Sequence, residues 1–396
     1  MGGDVRELLD LVFRWTHVIA GIMWIGNSML YNWLDRNLLP AKDGDPGIQG
    51  EIWLLHSGGF YFIRKDLTGW DRARPLHWFK WQAYTTWLTG AALLAIVYYA
   101  SGGALLMEGA RAAELSPLEA AGIGFGLLAA AWLLYHFVLG ELVTRTGRAG
   151  VVLGFGLIIA AGYGLTQLFS GRAAFLHLGA MLGTLMAGNV FRIIVPSQRQ
   201  LVAAVEAGRE PEKGPALLAK SRSIHNNYLT FPVVVLMVGS HFPGIYGHER
   251  NWLLLAVLVL AGAAVRHVMN VRFTFPRWRP VLAATVAAGI AALYLLSAQP
   301  RAAAPAAGVA HAGSFDAAFA VVQKRCTVCH SASPADRSLG VPPAGIAFDT
   351  PEQVRARAQR ILARAVETKT MPPANKTWMT DAERDVLRQW IAAGAK

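Results

Sequence analysis

Eight predominantly apolar runs succeed one another at about 9 to 33, 81 to 100, 118 to 143, 150 to 170, 173 to 195, 224 to 240, 251 to 271 and 279 to 298. Most have the roughly 20 residues that a helix needs to cross a hydrocarbon core about 30 Å thick. Lipid offers backbone groups no partners, so runs of this length must bond internally as helices. The pattern predicts an all-α fold, an eight-helix transmembrane bundle. Composition agrees: charged residues make up 16% of the chain, against about 25% in soluble domains. Interior glycines such as Gly162, Gly179, Gly183 and Gly188 predict close helix packing.

The net charge is +12, yet the basic residues form short clusters between apolar runs, not one patch. That distribution excludes a nucleic-acid surface and instead sets membrane topology. Segments 34 to 80, 144 to 149, 196 to 223 and 272 to 279 hold seven, two, five and three Lys or Arg, whereas the intervening loops hold only Arg111, Arg172 and Arg250. Basic loops stay on the cytoplasmic side, so both termini are expected to face outward. Arg6 stands against Asp4, Glu7 and Asp10 with no small-residue cleavage site beyond, and the first run is expected to stay in the mature chain.

After the eighth run the composition turns to Ala and Pro from 299 to 313, which reads as a semi-rigid tether. The expected organisation is a membrane domain at 1–298, this linker, and a small soluble domain at 314–396. The last part should be helical: one helix before the cysteines, one across Pro351 to Thr368, and one from Asp381 to Ala393, capped by Thr380 or Asp381 and closed by Gly394.

Cys326-Thr327-Val328-Cys329-His330 is a C-x-x-C-H run and contains the chain's only two cysteines. It reads as an attachment site for one covalent haem c, with thioethers from Cys326 and Cys329 and His330 on the iron. A zinc half-site or a redox dithiol is the competing reading. Met371, in Thr370-Met371-Pro372-Pro373, is the expected sixth ligand and Met379 the competitor. Met/His ligation suits electron transfer. Haem c is attached outside the bacterial inner membrane, the side to which the charge pattern assigns this domain.

Ionisable residues within spans mark function by default. His17 and His177 fall in the outer half, and His136, His267 and His225 in the inner half. Two tiers could hold one or two haems b through His17, His177, His136 and His267, or the histidines could bond between helices. If substrate is oxidised on the inner side, electrons need a relay to reach haem c.

A second constellation combines Trp53, His56, Phe60, Arg64, Lys65, Asp66, His77, Trp78 and Lys80 with His225, Asn226, Asn227, Tyr228 and Thr230. Amides, cations, hydroxyls and aromatic faces suit a planar anionic heterocycle, while Trp beside Lys or Arg also marks any membrane interface. Glu141, Asn189, Arg192 and Arg266 are placed to pair with one another or to act in catalysis.

Trp53-Leu-Leu-His-Ser-Gly-Gly-Phe60, Arg74-Pro-Leu-His-Trp-Phe-Lys-Trp81, Ile224-His-Asn-Asn-Tyr-Leu-Thr-Phe-Pro232 and the C-x-x-C-H tail together resemble the membrane-bound, cytochrome c-linked urate oxidases, or urate hydroxylases. The resemblance covers essentially the whole chain. It implies oxidation of urate to 5-hydroxyisourate in purine breakdown, with electrons leaving through haem c to a soluble cytochrome c or a terminal oxidase. Independently of the resemblance, the chemistry of the residues makes His225 or His56 the candidate base for such an oxidation, within a site that includes Asn226, Asn227 and Thr230. An electron-transfer subunit carrying electrons from quinol or a partner dehydrogenase is the alternative.

Overall fold

A computed structural model describes residues 3–101, 106–107, 115–297, 314–335, 342–367, 371–372, 375 and 377–395. Helix α1 (Gly3–Asn37) leads to an antiparallel hairpin, β1 (Ile48–His56) and β2 (Gly59–Asp66), and then to α2 (Trp81–Leu93), which continues as a π turn at Leu94–Tyr98. Helix α3 (Pro117–Leu134) passes through a π turn at Tyr135–Leu139 into α4 (Gly140–Thr146). After α5 (Arg148–Leu168), α6 (Gly171–Asn189) runs through a third π turn, Val190–Ile194, into α7 (Val195–Glu206). Helix α8 (Lys213–Gly239), the short α9 (Pro243–Tyr246), α10 (Asn251–Val271) and α11 (Trp278–Ser297) complete the apolar part. The expected linker lies outside the described residues.

Among the described residues, six helical stretches are long and apolar enough to cross a membrane: Leu8–Asn37, Pro117–Thr146, Arg148–Leu168, Gly171–Glu206, Asn251–Val271 and Trp278–Ser297. The two remaining expected spans are helical but fall short. In one, regular α geometry stops after the 13 residues of α2. In the other, α8 starts eleven residues before the expected run and carries Arg222, His225, Asn226 and Asn227 mid-helix. Pro232 lies inside α8.

The centre of the bundle is α6, which packs on α2, α3, α5 and α8, while α10 packs on α5, α8 and α11. More than half of the apolar stretch of Gly171–Glu206 is buried (56%), against 6% for Leu8–Asn37 and none of Trp278–Ser297. The rim therefore exposes Leu11, Trp15 and Ile22 on α1 and Ile290, Tyr294 and Leu295 on α11. In water each such side chain would forgo about 1.5–3 kcal/mol of burial; beside hydrocarbon that cost vanishes. Of the interior glycines, Gly162 and Gly179 meet neighbouring helices, and Gly183 faces open space.

The hairpin corrects the purely helical expectation. Alternating β-formers around Ile52, Trp53, Phe60 and Phe62 pair in register, with Trp53 opposite Phe62 and His56 opposite Gly59. Ser57 and Gly58 adopt φ of 51° and 76°, the two-residue turn with positive φ at both positions that matches strand twist.

The described residues from 314 onward form a separate helical core. It comprises α12 (Phe315–Arg325), α13 (Pro351–Arg355), α14 (Ala358–Ile361) with a π turn at Leu362–Glu367, and α15 (Asp381–Ala392). The helix expected across Pro351 to Thr368 is broken at Ala356–Arg357, a turn that keeps Val354, Ala358 and Ile361 all buried against Trp390 and Leu387. Thr380 caps α15 in a capping box with Glu383, and Gly394 follows the helix with φ of 95°.

Candidate functional site

Arg222, His225 and Asn226 lie at i, i+3 and i+4 on α8 and so share one face. Opposite them, Tyr135 opens one π turn and Asn189 immediately precedes another. Such turns insert a residue into the helical ladder, re-aim side chains and recur at functional sites. Tyr135 Oη lies 2.8 Å from His225 Nδ1. Asn189 Nδ2 donates to Tyr135 Oη at 2.9 Å and to Asn226 Oδ1 at 2.8 Å, and Asn226 Nδ2 donates to the Met186 carbonyl at 3.0 Å. The Arg222 guanidinium stands 5.4 Å from the Tyr135 ring centroid. Three elements thus converge on one buried polar cluster.

Asn227 points to a different helix. Its Oδ1 accepts from Arg266 Nε at 3.1 Å and from Asn270 Nδ2 at 2.6 Å, both on α10. The expected His-Asn-Asn unit is therefore divided between two interfaces, because adjacent helical residues face about 100° apart. Thr230 bonds the Asn226 carbonyl and serves the helix itself. His56 stands apart at the hairpin tip, exposed, with Nδ1 2.6 Å from Ser57 Oγ. The hairpin's cations pair locally, Arg64 with Asp43 at 2.8 Å and Lys65 with Asp35 at 2.5 Å, and Lys80 lies over the Trp78 and Trp81 rings. Glu141 pairs with Arg145 one turn on at 2.8 Å, in place of the expected partners Asn189, Arg192 or Arg266.

Sequence reasoning missed Tyr135, Arg222 and Asn270. The i, i+3, i+4 spacing that links Arg222 to His225 and Asn226 was a legible signal for the arginine. Tyr135 was hidden beside His136, the more conspicuous residue.

The histidines of the two tiers each have neighbouring partners. His17 Nδ1 is 2.9 Å from the Thr86 carbonyl. Both ring nitrogens of His177 are engaged, Nδ1 with the Ala173 carbonyl at 2.8 Å and Nε2 with Tyr99 Oη at 3.1 Å, and the ring packs on Phe169. His136 stacks on Trp132 at 5.2 Å, and His267 bonds Tyr228 Oη at 2.8 Å and stacks on its ring. His177 thus has both ring nitrogens engaged and does not fit an axial ligand as it stands, whereas His17 and His267 are bonded through Nδ1 alone and His136 is held by stacking.

The C-x-x-C-H residues do fit a covalent haem. Cys326 to His330 forms a single turn after α12, in which the Cys329 and His330 amides both donate to the Cys326 carbonyl. His330 Nδ1 bonds the Ile346 carbonyl at 2.9 Å, which fixes the ring and leaves Nε2 for iron. Burial, reinforced by Cys329, pushes the Cys326 thiol up to about 12. A redox dithiol requires the opposite shift. Met371 is partly exposed and Met379 is 3% exposed in the core. Arg384 donates to the Met371 carbonyl at 3.0 Å and to Asn375 Oδ1 at 3.3 Å, tying down the loop that carries Met371.

No curated protein and no solved structure matches the chain. The family model described as Urate oxidase N-terminal matches residues 4–298, which include the hairpin and the whole polar cluster around His225. The chain belongs to the urate oxidase N-terminal family.

Proposed function

We propose that this chain is a membrane-bound urate oxidase that converts urate to 5-hydroxyisourate and delivers the electrons through a haem c in its own C-terminal domain to a soluble cytochrome c or terminal oxidase. The observation that carries the proposal is the buried Tyr135–His225–Asn189–Asn226 network inside the family-matched segment. Family membership supports the substrate, and the six long apolar helices support a membrane setting.

Oxidation of urate with addition of one water gives 5-hydroxyisourate, two protons and two electrons. The chain must take the protons. With its proton on Nδ1, His225 donates to Tyr135 Oη and leaves Nε2 as the base. Asn189 holds Tyr135, and therefore His225, in one orientation. Asn226 braces Asn189 from the same helix as the base.

At the other end, Cys326 and Cys329 would bind haem covalently, with His330 and Met371 as axial ligands. When bound, that group supplies one-electron transfer at the raised potential typical of Met/His ligation. The expected setting is the bacterial inner membrane, with both termini and the C-terminal domain in the periplasm.

Mixing purified single-chain protein with urate in the absence of oxygen tests the proposal. Appearance of the reduced haem c spectrum is the expected result. A chain reduced by quinol or a dehydrogenase but never by urate would be an electron-transfer subunit instead.

A further inference from the structure

Arg222 is 4% exposed, and its Nε and Nη1 groups have no hydrogen-bond partner. Two buried guanidinium nitrogens left without acceptors, with no ion pair to a carboxylate among the described residues, are costly to maintain. Tyr135 stands beside it, with its ring centroid 5.4 Å away and its hydroxyl as one acceptor, and His225 and Asn226 follow one turn on along the same helix; none of the three is an anion. Glu141 is one residue from Gly140, which abuts the guanidinium, but that carboxylate is engaged by Arg145 at 2.8 Å. The backbone is fitted to the arginine: a Cβ added at Gly140 would lie 1.6 Å from Arg222 Nη1. The glycine thus keeps open the space into which the guanidinium extends.

We infer that Arg222 is the anchor for the anionic edge of the substrate. The inference rests on the urate oxidase reading and names the residue that would recognise urate as an anion. A guanidinium presents a planar fork to a planar delocalised anion and is pre-organised for two parallel hydrogen bonds. Held there, the heterocycle would lie beside Tyr135 and within the same cluster as the His225 base. The missing acceptors of Nε and Nη1 would then come from the ligand, and the buried charge would be neutralised only when substrate is bound.

The test uses the full-length protein with its haem chemically reduced beforehand, so that urate binds without turnover, and reads affinity by equilibrium dialysis of labelled urate. Arg222→Gln should weaken binding by about tenfold or more, the scale of a lost charge-assisted pair. Arg222→Lys keeps the charge without the fork and should lose less. Gly140→Ala places a methyl where Nη1 now lies and should mimic Arg222→Gln while retaining the arginine, so the inference stays testable if Arg222→Gln misfolds. Neutral hypoxanthine should bind wild type and Arg222→Gln equally. Unchanged urate affinity in both Arg222→Gln and Gly140→Ala, with wild type still reduced by urate, would overturn the anchor and leave the urate reading standing. A wild-type protein that neither binds urate nor is reduced by it overturns both.

Discussion

The Tyr135 hydroxyl and the His225 imidazole, ninety residues apart in sequence, are joined at 2.8 Å across the interface between a π turn and α8. Neither side chain could reach the other along its own helix. The contact exists because the π turn re-aims Tyr135 toward α8 and Asn189 holds its oxygen from a third element. The site is therefore a product of packing, and its residues should fail together.

His225→Ala should lower urate-dependent turnover by about 10²–10⁴-fold, the usual contribution of a positioned acid or base. The haem c spectrum should not change. Tyr135→Phe keeps the ring under Arg222 but removes the oxygen, so it should lower turnover by a smaller factor. Steady-state kinetics with a cytochrome c acceptor would check both, and normal turnover in His225→Ala would reject the base assignment.

Met371 and Met379 should separate cleanly. Met371→Ala should remove the sulfur ligand and lower the haem reduction potential with little loss of stability, because its side chain is partly exposed. Met379→Ala should keep the ligation and cost about 2–5 kcal/mol, as expected for emptying a core position. Redox titration and thermal melting distinguish them, and the reverse pattern would move the ligand to Met379.

Arg384 makes a related prediction. It holds the carbonyls of Ala365 and Met371 and the Asn375 side chain, so Arg384→Leu should loosen the Met371 loop and lower the reduction potential with His330 ligation intact. An unchanged potential would mean that the loop holds its shape unaided.

Glu383 gives the C-terminal domain an acid-labile element. Burial opposes its ionisation, but hydrogen bonds from Arg325 at 2.9–3.1 Å and from the Thr380 cap outweigh that, so its folded pKa is depressed. A carboxyl depressed in the folded state contributes stability that is complete above its unfolded pKa, about 4.3 for glutamate. The contribution is lost as pH falls through the lower folded value. Melting of the Soret band should therefore drop in temperature below about pH 4.3. Glu383→Gln preserves the capping box and should melt earlier at neutral pH, by about 1 kcal/mol, with a flatter acid dependence. Parallel pH profiles for the two proteins would contradict this.

Much of the helical layout was legible because lipid-length apolar runs have few other solutions, and the cap residues of α15 announced themselves. The hairpin was less legible: Ser57-Gly58 between aromatic β-formers carries a turn signal, but the surrounding Arg, Lys and Trp residues match the pattern of any membrane-interface loop. Pairing across helices was the least legible. The sequence marks His225 and Asn189 as polar residues in apolar surroundings, but which π turn aims Tyr135 between them depends on tertiary packing. For the same reason the partners of the histidine tiers were not legible: depth along a helix says nothing about the direction in which an imidazole faces. Pyridine haemochrome analysis tests whether these histidines keep their present partners: c-type haem alone is then expected, and b-type haem would mean that His17, His177, His136 or His267 exchange them for iron.

The most direct measurement is an oxygen-free stopped-flow trace of the purified chain, oxidised at the start, mixed with urate. If one polypeptide holds both the urate site and the haem, the reduced c-type absorbance should rise in step with formation of 5-hydroxyisourate, two haem equivalents per urate consumed. Oxidised haem that persists in the presence of excess urate, in protein whose haem responds normally to a chemical reductant, would contradict it.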